Sequence, residues 1–525
     1  MHAKEQESKV LIVGAGPVGM LLALELALYG IRARVISKAP RVSAHSKATI
    51  VWPRILELMD RTGVSEAIVR EGHYFDQMNY YSNKKRVGLI RFNTLTDTPY
   101  PFGITIPQAK TERILETALK TQAVAIEYGC EFVSGEQNDD GVTVTLRDTS
   151  GVESRSRYDW VVGADGFQSD VRSAFEFDFS GYSMPIRLAI TDAELTGQTT
   201  SSEAAYYMHK SGNMVLAPLG DGVFRVGASV PQGYTGDQPD REFFNTLLEH
   251  RVPGVKKLGE MKFSGIFTAH VRTANTFKNK RVFIVGDAAH AMSPSGAQGL
   301  NTGFQDAVNL GWKLGGVMNG SLSPDILETY TRERLDSVNR VSALSTSLAK
   351  MSLYQYTPQI ALRDAAFRVA SLTKVLENYV SPRFAQLDSI IGSDIKNSFS
   401  GKKKRLSAGD RIPLSWTENW QAPVLAKDAY SILLWPGKTY VYEAWSDFSR
   451  EVSSTMRAHK VINLGAMPLG RLLDRLGHRP QSIIVRPDGH IQSVISLDAS
   501  AYSKSINAIT HALPHSLSLT QKQVG

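Results

Sequence analysis

The chain carries one cysteine, Cys130, in 525 residues. A single thiol closes no intramolecular disulfide, and cysteine zinc clusters and iron–sulfur sites, which take several thiolates, are excluded with it. No His/Cys/Asp/Glu spacing suggests a metal centre, so no metal is expected. No stretch reaches the roughly 18 uninterrupted apolar residues that would suggest a membrane span, and no integral membrane segment is expected. Met1 to Lys9 is polar and lacks the apolar core of a secretory signal. A lone thiol fits a reducing compartment, so the expected location is cytoplasmic. Neither internal repeats nor long low-complexity stretches occur.

Neither sign of charge dominates, with 59 Lys and Arg against 51 Asp and Glu. The net charge of +8 is spread over the whole chain, and the one dense basic run, Lys402 to Arg405, reads as a solvated linker. No nucleic-acid partner is expected. Hydrophobic residues at 42% and charged residues at 21% are ordinary for a folded enzyme, and the length points to two or three domains.

Apolar Lys9 to Val13 runs into Gly14, Ala15, Gly16, Pro17, Val18 and Gly19, and helical spacing follows from Met20 to Tyr29. A second strand, Ala33 to Ile36, completes a βαβ unit. An amphipathic helix is expected over Pro107 to Lys120, with strands at Val142 to Leu146 and Tyr158 to Val162. From about Gly181 to His270 helical periodicity gives way to strand-like runs, among them Ala204 to His209, Met214 to Ala217 and Val223 to Gly227. The α/β pattern returns at Arg281 to Val285 and in a helix over about Gly299 to Val317. The chain is mainly helical to about Ile395, has a linker at Lys402 to Pro413, and ends in a small α/β segment. The expected domains are 1–180 with 271–400, an inserted sheet at 181–270, and 405–525.

Glycines spaced as Gly14, Gly16 and Gly19 permit a tight turn, close backbone approach to a pyrophosphate, and close helix–strand packing. This motif does not distinguish FAD from NAD. Two more strands end in glycine and a carboxylate: Gly163, Ala164, Asp165 and Gly166, and Gly286, Asp287, Ala288, Ala289 and His290. Each aspartate either faces a ligand in the crevice or caps the following helix. Pro294, Gly296, Gly299, Leu300 and Asn301 then open a helix whose free N–H groups could face a flavin ring. His290 reads as structural.

In order and spacing, these three motifs resemble the class A flavoprotein aromatic hydroxylases, the family of p-hydroxybenzoate, phenol and aromatic-polyketide hydroxylases. The resemblance covers about residues 9 to 335, with Tyr330, Glu333 and Arg334 matching the family's closing helix. It implies an α/β fold: a Rossmann-like FAD-binding domain of glutathione-reductase type, an inserted β-sheet substrate domain, and a thioredoxin-like C-terminal domain. In that last domain Gly409, Asp410, Arg411 and Pro413 lead in and Arg486, Pro487, Asp488 and Gly489 lie near the end. Without a Cys-x-x-Cys it performs no thioredoxin chemistry.

The resemblance also implies that residues 14–19 hold the ADP part of FAD, that Asp165 and Gly166 lie near the pyrophosphate, and that Gly286 and Asp287 meet the pyrophosphate and ribityl region. Gln108 matches a glutamine near the cofactor. Gly299, Leu300 and Asn301 approach the ring, and Pro294 lies on its substrate side. Two places depart from the family. Ser37 and Lys38 stand where an acidic residue and arginine are usual, and Lys47 replaces an arginine near the pyrophosphate. Both changes weaken the hold on FAD, since a hydroxyl accepts less strongly than a carboxylate and lysine lacks the bidentate fork.

The implied activity is a monooxygenation in which NADPH or NADH reduces FAD and O2 supplies an oxygen atom to a phenolic ring, polycyclic in the reading that the large β region suggests. No catalytic side chain is assigned. Tyr206, Tyr207 and His209 are substrate-side candidates, Tyr207 and His209 on one strand face and Tyr206 on the other, with ordinary sheet packing as the alternative. The same fold also serves Baeyer–Villiger and antibiotic-inactivating monooxygenases. A flavin-bound nicotinamide dehydrogenase and a non-enzymatic flavin sensor are further alternatives. Oligomeric state is left open, a homodimer included.

Overall fold

The computed structural model describes residues 8–41, 49–197, 203–254, 257–392, 405–414, 425–438, 442–467, 472–498 and 501–514. Val10–Val13 is buried at every position, as expected of a strand covered on both faces. It pairs in parallel with Arg34–Ser37 on one side and Trp160–Gly163 on the other, and Val282–Ile284 continues the sheet beyond Trp160–Gly163. The first crossover, helix Pro17–Ala27, leads to one side and the third parallel strand lies on the opposite side. Strand order therefore reverses between Val10–Val13 and Trp160–Gly163, and the carboxyl ends there open a crevice. Helix Gly299–Met318 packs against Pro17–Ala27 through its glycines: a Cβ on Gly303 would lie 2.8 Å from Val18, and one on Gly311 2.5 Å from Glu25.

The second sheet has eight strands and extends past the expected 181–270. Its two longest strands are Phe179–Thr196 and Lys257–Ala274. Two further strands, Gln77–Ser82 and Lys85–Arg91, come from the segment assigned to the first domain, and Gln77–Ser82 pairs in parallel with Glu203–His209. Met78, Tyr80, Ala204 and Met208 share one apolar cluster, which is what draws the hairpin onto this sheet. Its turn has Asn83 and Lys84 both at positive φ, 44° and 68°, as a type I′ turn requires, but without the Asn-Gly signature. The two-residue period turns Tyr206 and Met208 toward helices Thr329–Ser352 and Thr357–Leu372, while Tyr207 packs with Phe244, Leu247 and Leu248 of helix Arg241–Arg251.

In the C-terminal part, Ser431–Trp435, helix Tyr442–Thr455 and Lys460–Asn463 form a parallel βαβ unit, and Gln481–Val485 and Ile491–Ser496 add antiparallel strands beside Ser431–Trp435. With the closing helix Tyr502–Ala512 this is a thioredoxin-like arrangement. Arg486 clamps it to the first domain, donating to both oxygens of Glu333 at 2.9 Å and stacking over Trp312. Asp488 accepts from the Trp312 indole at 3.1 Å. The linker expected at Lys402 to Pro413 is corrected in its described part: Arg411 is buried and pairs with Glu57 at 3.1 Å and Asp97 at 2.6 Å. A solvated linker would not bury a guanidinium between two carboxylates. Lys402 to Lys404 lie outside the described residues.

Candidate cofactor and substrate site

The crevice is built from backbone. Gly14 has φ +111°, and a Cβ there would sit 2.3 Å from the carbonyl oxygen of Ala164, so the turn closes only with glycine. A Cβ on Gly19 would lie 2.1 Å from the Gly14 carbonyl, which seats the helix against the turn. Gly16 differs: it is the N-cap of Pro17–Ala27, no side chain caps that helix, and a Cβ on it would meet nothing within 4 Å. The first-turn N–H groups have no intrahelical acceptor, so this is an open anion cradle. Ala15 is buried in the core, and Val18 contacts both Gly286 and Gly303, drawing three motifs together.

Gly166 and Gly299 likewise have open space at the Cβ position. Asp165 is half-buried, and its carboxylate accepts from Ser169 Oγ at 2.5 Å and from the N–H groups of Asp170 and Val171 at 2.8 and 3.1 Å. Burial pushes its pKa up against these bonds. Its side chain therefore holds the start of helix Asp170–Ala174, while Gly166 faces the crevice. Asp287 is exposed just past strand Val282–Ile284. Ser37 ends its strand half-buried, its Oγ accepting from the Ala39 N–H at 3.3 Å, and Lys38 reaches Asp170 at 3.4 Å. Gln108 opens helix Gln108–Thr121 and donates to Glu112 at 2.8 Å. Lys47 lies outside the described residues.

At the other end of the crevice, Leu300 is half-buried and Asn301 fully buried. The Asn301 amide accepts from Trp52 N–H at 2.9 Å and donates to the carbonyls of Ile50 and Ala297 at 2.8 and 2.9 Å. The side chain is thus committed to structure, and only backbone N–H groups of this helix end are offered to a ligand. Asp306 supports the assembly from behind, pairing with His290 at 2.6 Å and Arg334 at 2.7 Å and accepting the Gly286 N–H at 3.0 Å. Burial pushes its pKa up, but the contacts with His290 and Arg334 together outweigh it and hold the carboxyl below its usual range.

Pro294 is exposed on the loop before that helix, and its neighbour Ser295 reaches Tyr206. The Tyr206 hydroxyl accepts from Asn213 Nδ2 at 2.9 Å, with Ser352 and Ser295 also in hydrogen-bond contact. Burial raises its pKa, so it stays protonated. Its ring stacks on Tyr80, 5.8 Å between centroids. Tyr207 is buried on the far face, stacked on Tyr81, and His209 is tied to Ser211 at 2.8 Å at the hairpin end. Of the three candidates only Tyr206 meets the loop that follows the crevice. Sequence reasoning missed Asn213, Ser295 and Ser352, which carry no motif and meet Tyr206 only through the fold.

A parallel sheet with a glycine cradle at its switch point defines a dinucleotide-binding protein. An FAD binding domain profile matches residues 7–345. The chain is 34% identical over 378 residues to 6-methylpretetramide 4-monooxygenase of Streptomyces rimosus, covering 69% of this chain and 64% of that protein. It is 32% identical over 357 residues to rifampicin monooxygenase of Streptomyces venezuelae, covering 66% of this chain and 72% of that one. The fold matches aklavinone-11 hydroxylase, solved with FAD and aklavinone, at TM-score 0.76 and 22% identity over 98% of this chain and 100% of that one. The chain belongs to the FAD-dependent aromatic monooxygenases. FAD is its cofactor, and the open cradle at Gly16 fits the pyrophosphate. No helix among the described residues is long and apolar enough to cross a membrane.

Proposed function

We propose that the chain hydroxylates a phenolic, polycyclic aromatic molecule at the Tyr206 face of the eight-stranded sheet, with NADPH or NADH as reductant and O2 as oxidant. The single observation that carries this reading is the half-buried Tyr206, whose hydroxyl accepts from Asn213 and whose ring lies in the apolar cluster that includes Ala297 of the Pro294 loop. FAD, when bound, supplies hydride acceptance and oxygen activation. Gly14, Ala15, Gly16, Pro17, Val18 and Gly19 hold its pyrophosphate, aided by the Gly166 turn and the Gly286–Asp287 corner, with Ser37, Lys38 and Gln108 toward the adenosine side. The helix end at Gly299, Leu300 and Asn301 stabilises negative charge on the ring through its N–H groups.

Tyr206 accepts from Asn213, and its own proton, which has Ser295 and Ser352 within reach, would turn to a substrate oxygen on binding. Donated there, it orients a phenol and stabilises the phenolate, the form that is activated toward electrophilic oxygen. Apolar side chains nearby, Tyr80, Phe367 and Phe384, exclude water. A cleft of about 580 Å³ is lined by Gly212, next in sequence to Asn213, and by Leu353, next to Ser352, and its volume suits several fused rings. The test is NADPH and O2 consumption by the FAD-loaded protein across phenols of one to four rings. Stimulation that rises with ring number is expected. Turnover of single-ring phenols alone, or stimulation by none, overturns the reading.

A further inference from the structure

Eight arginines are buried among the described residues, and seven of them hold a carboxylate: Arg54, Arg61, Arg225, Arg334, Arg363, Arg411 and Arg486. Arg251 does not. It is 1% exposed, and it donates to the carbonyls of Ser211, Asn213 and Ser229 at 2.8, 2.8 and 2.9 Å. Its remaining contact is Ser229 Oγ at 3.4 Å, and its Nε has no partner. Carbonyls satisfy hydrogens but do not neutralise the charge, and a buried cation left uncompensated is costly.

That charge lies against the cleft. Ser211, Gly212 and Ser229 are part of the cleft wall, and a Cβ on Gly212 would lie 3.1 Å from Arg251 Nη2. Gly212 has φ +122°, so the chain passes over the guanidinium with only its backbone between cation and cleft. Two more cations, half-buried Arg187 and exposed Lys210, line the cleft itself, and no carboxylate does. Arg187 gives a hydrogen bond to the Tyr234 carbonyl, and neither cation forms an ion pair among the described residues. His209, beside Lys210, is held below its usual pKa by burial and then by Arg251, Lys210, His250 and Lys84. Met184, Pro185, Ile186, Val230, Pro231 and Leu353 supply the apolar part of the wall, and Gln232, Thr268 and Gln355 add uncharged polar groups.

We propose that this cleft binds the carboxylate of a polycyclic aromatic acid, anchored by Arg187 and Lys210 with the Arg251 charge behind them. The substrate would then span from an acidic anchor in the cleft to the phenolic ring held at Tyr206. This rests on the hydroxylase reading for its orientation, but the acid preference is measurable without turnover.

The test titrates FAD-loaded protein with anthracene-2-carboxylate and anthracene-2-carboxamide, following probe fluorescence, and records NADPH oxidation in parallel. The carboxylate is expected to bind on the order of tenfold more tightly, the value of one charge-assisted contact. Arg187→Gln and Lys210→Gln should each reduce that preference and together erase it, with carboxamide binding and FAD content unchanged. Both side chains sit on the cleft surface, so neither substitution opens the core. Equal affinity for acid and amide, or a preference that survives the double variant, overturns the proposal. If the two probes bind alike and stimulate NADPH oxidation alike, the acid site falls and the hydroxylase reading stands. An acid preference that Arg187→Gln/Lys210→Gln removes, with none of the one- to four-ring phenols stimulating oxidation, upholds the site and overturns the hydroxylase reading.

Discussion

Gly14 and Gly16 stand two residues apart, yet the structure assigns their substitution opposite consequences. A methyl on Gly16 meets no protein atom within 4 Å, so Gly16→Ala should cost the apoprotein only about 0.5 kcal/mol through the poorer N-cap. The methyl instead fills the anion cradle. Displacing the pyrophosphate from two N–H groups, at about 1.5–3 kcal/mol for each bond to a charged group, weakens FAD binding by roughly 10² to 10⁴-fold. Gly14→Ala acts on the fold. Its methyl would stand 2.3 Å from Ala164 O and 2.8 Å from Asp165 N at a φ of +111°. Strain and overpacking together cost about 2–6 kcal/mol. Thermal melts of the two apoproteins, with FAD titrations followed by quenching of flavin fluorescence, separate the effects. If Gly16→Ala binds FAD within threefold of the parent, the pyrophosphate does not lie over Gly16. If both variants lower apoprotein stability equally, the division between turn and cradle is wrong.

Tyr206→Phe keeps the ring stacked on Tyr80 but removes the donor; product formation should fall roughly 10- to 100-fold, the worth of one hydrogen bond to a charged oxygen, while peroxide release rises. Unchanged coupling of NADPH to product would refute it. Ser37→Glu restores a carboxylate acceptor at the strand end and should tighten FAD binding by about tenfold, read in the same quenching titration. Arg486→Met leaves Glu333 buried with only Lys313 and Asn309 as partners, at a cost of about 3–5 kcal/mol; a lower urea midpoint is expected, partly recovered by adding Glu333→Gln. His490 is 5% exposed, and burial holds its pKa down at about 4, against about 6.5 in an unfolded chain. The unfolded state therefore binds the extra proton first, and the contribution is fully present above pH 6.5 and lost as pH falls toward 4. That loss is about 3 kcal/mol. Urea unfolding at pH 7 and pH 4.5 measures it, and a His490→Gln variant should show a flatter dependence over that interval.

What could be read from the sequence was what depends on near neighbours. The spacing of Gly14, Gly16 and Gly19 marks a strand–turn–helix within one short segment, although the close approach that demands glycine at 14 is made by distant Ala164, and the alternation of Tyr206 and Tyr207 follows from strand geometry alone. The Gln77–Arg91 hairpin escaped because its type I′ turn is made by Asn83 and Lys84, and because its place is decided by pairing with Glu203–His209, far along the chain. Asn301 is expected to approach the ring at a helix start; that its amide is spent on Ile50, Trp52 and Ala297 depends, for the first two partners, on residues 251 and 249 positions away. Arg411 looked like part of a basic linker because Glu57 and Asp97, its partners, lie more than 300 residues away in the chain. Arg251 is the limiting case. It belongs to no motif, and in the sequence it is one helix-terminal arginine among many, placed where a cation suits the helix dipole. It becomes informative only when every buried arginine is asked for its counter-ion, because a missing carboxylate is a property of the assembled fold. The same question applied to any buried charge separates groups that the protein has finished satisfying from those it has left for a ligand.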